Sequence, residues 1–322
     1  MKQLLNLIKK NSQTESFISF KSILEEKEEF LQENYCYTGL SNDCMKSLQK
    51  FGYHFYQGKV RDCFEKDGFF SMVHSDRLSA FDRHITTVPF KGIFLASLNS
   101  YWLNKISADF PVAEFSYVEP RVIRMKKLNV FPVEIVVRGY LAGSMLRSYE
   151  KGERRFCHHT LQEGLKPWQV LETPILTPTS KAEIGAHDEN TTPEEILRKG
   201  LCTEAQWQKI SKIALDLFRF GQAIYEKHSW ILVDTKYEFG FDEKGDPYLI
   251  DEVHTPDSSR LWVKESYKDR LSKGLDPVML DKEIIRNYLK TKGFMGEGEI
   301  PHVPQEKIIN LSKVYLSVAD KL

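Results

Sequence analysis

Apolar and polar residues alternate most clearly late in the chain. Residues 230–240 (Trp-Ile-Leu-Val-Asp-Thr-Lys-Tyr-Glu-Phe-Gly) and 247–253 (Pro-Tyr-Leu-Ile-Asp-Glu-Val) are rich in β-branched and aromatic side chains. With the polar segment 241–246 between them, they predict a β-hairpin. Side chains alternate faces along a strand, so Asp234, Lys236 and Glu238 share one face, and Val233, Thr235, Tyr237 and Phe239 share the other. An even-numbered loop centred between Lys244 and Gly245 sets Glu238 opposite Asp251, whereas a three-residue loop with a bulge shifts the pairing by one. Two directly opposed carboxylates destabilise a hairpin. A divalent cation between them is one resolution, and a solvated strand face carrying ordinary charges is the other.

The pattern predicts further elements upstream. Residues 1–50 are polar and mostly helical in pattern, with a Glu-rich candidate helix over 21–34, either packed on the outside or serving as an interaction arm. Residues 55–65 read as strand, turn, strand, and 69–74 as another strand, followed by a polar loop over 75–82. Apolar residues at helical spacing (Phe94, Leu95, Leu98, Trp102, Ile106) predict a core helix over 91–110. Two strands, 117–124 and 133–138, precede a glycine-containing turn at 139–144 and a helix from about Met145. Residues 174–190 lack periodicity and read as a long loop, the kind that is often functional. Thr192 opens a capped helix. Residues 207–228 form an amphipathic one (Ile210, Ile213, Ala214, Leu217, Phe218, Ile224). After the hairpin, 255–262 runs into a helix capped by Asp257 or Ser258, with Arg260 in its first turn. A cation is disfavoured at a helix N-terminus, so Arg260 there suggests an anionic partner. Residues 265–320 read as terminal helices with a loop at 294–301.

Composition narrows the classes. Lys plus Arg (45) equals Asp plus Glu (45) across 322 residues, so no basic excess points to nucleic acid or a membrane surface. The five cysteines (36, 44, 63, 157 and 202) show no zinc or redox spacing, which suits free thiols in a reducing cytoplasm. The N-terminal apolar run is too short for a signal peptide, and no run reaches the roughly 20 apolar residues that span a bilayer. Neutral overall charge still allows local anion sites. Gly58 with Lys59 and Arg61 can approach a polyphosphate or can be a plain hairpin turn. Arg138 at a strand end and Ser144 at a helix start make a second anion site, or a glycine-built turn with an N-cap serine.

Six motifs then converge in order: Gly58-Lys-Val-Arg-Asp62, Ser79-Ala-Phe-Asp82, Val136-Val-Arg-Gly-Tyr-Leu-Ala-Gly-Ser144, Ser180-Lys-Ala-Glu183 with His187-Asp-Glu-Asn190, Asp234-Thr-Lys-Tyr-Glu-Phe-Gly240, and Asp251-Glu-Val-His-Thr-Pro-Asp-Ser-Ser-Arg260. Over roughly residues 50 to 265 they resemble the SAICAR synthetase family, in its longer form. The resemblance implies an ATP-dependent ligase of purine biosynthesis. That enzyme joins L-aspartate to the carboxylate of carboxyaminoimidazole ribotide through an acyl phosphate, releasing ADP and phosphate. It implies an α+β, two-lobed fold, distantly kinase-like, with an antiparallel sheet lobe over a mixed α/β lobe and ATP in the cleft. The expected divisions are a helical extension (1–50), an ATP-binding lobe (51–128) and a substrate and metal lobe (129–322).

By motif match, Gly58, Lys59 and Arg61 would cover the ATP phosphates, and Arg124, Met125, Lys126 and Leu128 would form the hinge beside adenine. Glu238 and Asp251 would hold Mg²⁺, with Asp234 and Lys236 beside the reacting groups. Arg138, Ser144 and Arg260 would bind the ribotide phosphate. Asp257, Ser180, Lys181, His187 and Asp188 would complete the substrate side, with the loop 179–190 next to aspartate. The chain departs from the usual pattern at Ala142 (commonly Thr), at Thr179-Ser180 (commonly the reverse order) and over 83–90.

A small-molecule kinase on a related fold could use the same metal carboxylates and Lys59. It needs a catalytic Asp next to an Asn, however, and no His-Arg-Asp segment stands in the sequence. A non-catalytic nucleotide-binding protein predicts loss of a metal carboxylate, and both are present. A monomer and a homo-oligomer are both compatible with the pattern.

Overall fold

The first helix of the described residues, α1 (Asn42–Lys50), is short and amphipathic, and the Ser41 side chain caps it by accepting the Cys44 N–H. The protein is described by a computed structural model over residues 36–180 and 189–322. The chain forms two compact units: up to Trp102 with Glu114–Lys127 and Asp281–Leu322, and Leu103–Ala113 with Leu128–Leu280.

In the first unit α1 is followed by β1 (His54–Gln57), β2 (Arg61–Lys66), β3 (Phe69–His74), the hairpin β4 (Arg77–Ala80) and β5 (Arg83–Thr87), and helix α2 (Lys91–Ile106), whose residues from Leu103 on are assigned to the second unit. Next come β6 (Phe115–Glu119) and β7 (Val122–Lys126). The antiparallel sheet runs β1-β2-β3-β7-β6. Cys44 and Leu48 of α1 pack with Tyr37, Leu40, Phe64, Val73 and Val122, so segment 36–50 contributes one apolar face to the core of this unit while its other side chains stay exposed. Burying such apolar side chains contributes about 1.5–3 kcal/mol each. Two sequence expectations change. The polar loop over 75–82 is part of the β4–β5 hairpin, whose turn residues Phe81 and Asp82 are left-handed (φ 52° and 58°). The single strand over 117–124 is two, turning at Pro120-Arg121.

The second unit holds β8 (Asn129–Val130), β9 (Val133–Tyr140), α3 (Gly143–Glu150), β10 (Arg155–Phe156), β11 (His159–Thr160), β12 (Val170–Ser180), α4 (Pro193–Arg198), α5 (Glu204–Lys227), β13 (Trp230–Phe241), β14 (Pro247–Ile250), β15 (Ser259–Val263) and α6 (Lys264–Ser272). Its sheet runs β12-β9-β13-β14, with β15 and β8 also pairing with β13. The expected loop from 174 therefore starts as strand: Pro178 pairs with Ile135 in β12, an edge strand, where proline's missing N–H costs least. Amphipathic α5 packs on β13, burying Ile210, Ala214, Leu217 and Phe218.

The closing helices α7 (Glu283–Thr291) and α8 (Gln305–Lys321) return to the first unit, where Ile285, Leu289, Ile309 and Tyr315 pack with Leu78, Phe90 and Phe94. The expectation that grouped them with 129–280 followed chain order, which does not record that their apolar faces are partnered by α2 and the β4–β5 hairpin. No helix among the described residues is long and apolar enough to cross a membrane.

Candidate functional site

Strand register gathers the charged residues of the second unit on one sheet face. Asp234 pairs with Arg138 and Lys236 with Val136. Thr177 pairs with Val136 on the other side of β9, and Arg260 with Asp234. Directly paired residues share a face, and alternate residues along a strand do too. Glu134, Arg138, Thr177, Asp234, Lys236, Glu238 and Arg260 therefore line one surface. The opposite face carries Ile135, Val137, Tyr237 and Phe239, all fully buried. Burying those side chains holds the charges of the other face in register.

One end of this face is cationic. Arg138 is buried; its Nε donates to Thr177 Oγ1 at 2.8 Å and its Nη2 to Ser144 Oγ at 3.3 Å. Arg260 Nη1 donates to Asp234 Oδ2 at 2.7 Å, and Arg138 Nη1 lies 3.7 Å from the same oxygen. Burial pulls the Arg138 pKa down; Asp234 opposes that, and the nearby charges of Arg260 and Arg147 add to it. Arg138, Ser144, Arg155, Cys157 and Thr177 line a pocket of about 220 Å³. The start of α3 borders it. Gly143 there has φ +60°, and a Cβ at this position would lie 2.5 Å from the Arg260 guanidinium carbon. Only glycine lets that guanidinium lie against the backbone.

The expectation for Arg260 is corrected in its setting. Residues 259–263 form strand β15, not a helix start, so Arg260 is placed by pairing with β13 and not at a helix N-terminus. Asp257 and Ser258 are not helix caps: both donate their N–H to Thr255 Oγ1, at 3.3 Å, in a tight turn before β15. Asp257 is buried beside this turn. Ser144 is likewise in the first turn of α3, not its N-cap, which is Ala142.

The other end of the face gathers carboxylates. Lys236 Nζ lies 2.5 Å from Glu134 Oε1 and 3.2 Å from Glu238 Oε1. Burial acts to lower the Lys236 pKa, but the charges of Glu238, Glu134 and Asp251 outweigh it and hold the ammonium well above the usual lysine range. The hairpin register differs by one residue from the even-loop expectation. Phe241 pairs with Pro247, so Glu238 faces Ile250 and not Asp251. The five-residue turn is built by Asp242 Oδ1, which accepts from the N–H groups of Lys244 and Asp246, both at 2.9 Å. Asp251 follows the strand end in a left-handed conformation (φ 70°), close enough for its charge to act on Lys236.

Among the described residues no three His, Cys, Asp or Glu side chains are gathered closely enough to hold a metal alone. An ammonium already sits among these carboxylates, so the donor set suits a cation. Mg²⁺ in particular takes one or two carboxylates and fills its shell with water and phosphate oxygens. Glu134 carries no motif signal. Alternation along Val133-Glu-Ile-Val-Val-Arg138 puts it on Arg138's face, which is the cue that could have found it.

The turn after Asp251 is tied to the core through His254, which is fully buried: Tyr237 Oη lies 2.5 Å from its Nε2, and Tyr225 Oη donates to its carbonyl. Ser180 ends β12, and its N–H donates to Glu189 O at 2.8 Å. Lys181, His187 and Asp188 lie outside the described residues. Gly58, Lys59, Arg61, Arg124, Met125 and Lys126 belong to the first unit, and Leu128 to the second. Lys59 Nζ pairs with Asp82 Oδ1 at 2.6 Å, both side chains half-exposed. The Arg124 guanidinium stacks 3.5 Å from the Phe69 ring centre, and Met125 is buried.

The profile of the SAICAR synthetase family matches residues 54–301. A phosphoribosylaminoimidazole-succinocarboxamide synthase of Legionella pneumophila is 40% identical over 272 residues, covering 83% of this chain and 86% of that protein. One from Bacteroides fragilis is 40% identical over 288 residues, covering 86% and 91%. Among solved structures, the SAICAR-synthase of Saccharomyces cerevisiae complexed with SAICAR superposes with a TM-score of 0.72 at 29% identity, covering 84% of this chain and 94% of that one.

Proposed function

The chain belongs to the SAICAR synthetase family, and from that premise we propose how its residues divide the work. The activity is that of a carbon–nitrogen ligase of purine biosynthesis: L-aspartate is joined to the carboxylate of carboxyaminoimidazole ribotide, with ATP converted to ADP and phosphate. A carboxylate is a poor electrophile toward an amine. Phosphoryl transfer from ATP makes it an acyl phosphate, and the aspartate amine then displaces phosphate. Such transfers depend mainly on positioning and on neutralising charge.

The two oppositely charged ends of the polar face, guanidiniums at one and carboxylates at the other, support the assignment. Arg138, Ser144 and Arg260 bind the ribotide phosphate. The observation that carries this is the pair of guanidiniums converging on Asp234 beside the 220 Å³ pocket. A phosphate dianion accepts the fork donors that such a pair offers. Glu238 and Asp251 hold Mg²⁺, which when bound neutralises phosphate charge during transfer. Glu134 orients Lys236 beside them, and Lys236 and Asp234 face the reacting groups. Gly58, Lys59 and Arg61 cover the ATP phosphates, and Arg124 to Leu128 flank the adenine. Asp257, Ser180 and the loop to Asn190 serve the aspartate side. The free thiols suit the cytoplasm.

The test is phosphate release from ATP with Mg²⁺, with the ribotide and aspartate each present or absent. The expected result is release that requires the ribotide, with the succinocarboxamide formed once aspartate is added. Release indifferent to both would overturn the assignment and favour a kinase-like activity.

A further inference from the structure

The guanidinium of Arg77, at the start of β4, lies under the turn between β1 and β2. Its Nη2 donates to Gly58 O at 3.0 Å and its Nε to Lys59 O at 3.2 Å. The next carbonyl, Val60 O, accepts from Ser75 Oγ at 2.7 Å and from Ser75 N at 3.1 Å. Three successive carbonyls of the turn are thus held on the protein side. In a trans peptide the N–H points away from the C=O of the same plane. Fixing Gly58 O and Lys59 O inward therefore directs the N–H groups of Lys59 and Val60 outward. Successive outward amides form a concavity for anions.

Arg77 is itself fixed. Its Nη2 donates to Asp62 Oδ1 at 2.8 Å and its Nη1 to Thr38 O at 2.5 Å. Asp62 is fully buried, and its Oδ2 accepts the Leu40 N–H at 2.9 Å. Between these two contacts Gly39 has φ +130°, and a Cβ there would lie 2.5 Å from Arg77 Nη1 and 2.7 Å from Asp62 Oδ2. Segment 38–40 therefore closes the socket that holds the guanidinium. One side chain ties a turn, a buried carboxylate and a segment ahead of α1 into a single unit.

We propose that Arg77 is a positioning residue for the nucleotide phosphates, shaping the Gly58–Lys59 turn so that its amides face the polyphosphate. This rests on the reading of that turn as the phosphate cover. Arg77→Lys keeps a positive charge beside Asp62, but a single ammonium cannot reproduce the planar fork that reaches Gly58 O, Lys59 O, Thr38 O and Asp62 together.

The experiment measures ADP and adenosine affinity by calorimetry, and KM for ATP, the ribotide and aspartate. The expected result for Arg77→Lys is about a tenfold rise in the ADP Kd and in KM for ATP, the scale of one lost hydrogen bond to a charged group. Adenosine affinity and KM for the ribotide stay as in the parent. Parental ADP affinity, or an equal loss for adenosine, would overturn the proposal. Lys59→Ala separates it from its premise. If Lys59→Ala weakens ADP and Arg77→Lys does not, positioning by Arg77 fails while the turn reading stands. If neither weakens ADP, the turn reading itself fails. Should Arg77→Lys not fold, the double variant Asp62→Asn/Arg77→Gln removes both buried charges and takes the same measurements, with the same expected and overturning results.

Discussion

Replacing Gly143 by alanine tests whether the backbone at the start of α3 seats Arg260. Gly143 has φ +60°, a conformation that costs a residue with a Cβ about 1–2 kcal/mol. The added Cβ would also stand 2.5 Å from Arg260 Cζ and Nη2, so the guanidinium must withdraw by about 1 Å to reach ordinary contact. Its hydrogen bond to Asp234, now 2.7 Å, would not survive that shift. Losing a hydrogen bond between charged groups costs about 1.5–3 kcal/mol. The two effects sum to about 2.5–5 kcal/mol of lost stability. Gly200 is the control: its φ is +67°, and a Cβ added there would meet nothing within 4 Å. Gly200→Ala should therefore cost only the backbone part, about 1–2 kcal/mol. Urea unfolding compares the stabilities, and steady-state kinetics compare KM for the ribotide. Gly143→Ala should raise that KM by about tenfold or more, and Gly200→Ala should leave it unchanged. Equal destabilisation by the two substitutions, with both KM values parental, would refute the packing of Arg260 on Gly143.

Other expectations are direct. Asp251→Asn keeps a residue type that tolerates the left-handed conformation, so the fold should persist while Mg²⁺-dependent turnover drops by about a hundredfold or more; parental turnover would remove Asp251 from the metal set. Arg138→Ala should raise KM for the ribotide by about 10- to 100-fold with little change for ATP, and an equal loss of ATP affinity would speak against a dedicated phosphate site. His74 and His254 are held neutral by burial, each with its pKa pushed down to about 3. An unfolded histidine titrates near 6.5, so the stability they secure is complete above that pH and is lost as pH falls toward 3, at up to about 1.4 kcal/mol per pH unit for each. Denaturant titrations from pH 7 to 4 should show that slope, and His74→Asn should flatten it; an unchanged slope would show that His74 does not contribute.

Much of the fold was legible because long periodic segments leave little choice. The amphipathic α5, strand β13 and helix α2 stand where periodicity placed them. What was not legible depended on loops and partners. The identity of Asp242 and Gly245 marks a turn, but not that Asp242 would bind two amides and make the turn five residues long, so the hairpin register was off by one. Arg260 was misread as helical because Asp257-Ser-Ser resembles a cap; pairing with β13 overrides that local signal, and local patterns do not report which strand lies alongside. Pro174 and Pro178 disguised β12, since proline argues against a strand unless the strand is an edge. The charged set on β13 was readable from alternation alone. Glu134 needed the added knowledge that β9 lies beside it.

Strand β13 also acts as a ruler. Asp234 and Glu238 stand four residues apart on one face, which at the rise of an extended strand is about 13 Å. The guanidinium pair gathers at the first mark and the carboxylates at the second. Backbone pairing on both sides and a buried opposite face fix this spacing, so it cannot be adjusted by side-chain motion alone. A ligand is thereby gauged by length before any atom of it is read. Inserting a single residue between the marks would turn one of them into the core, so this distance can change only in steps of two residues.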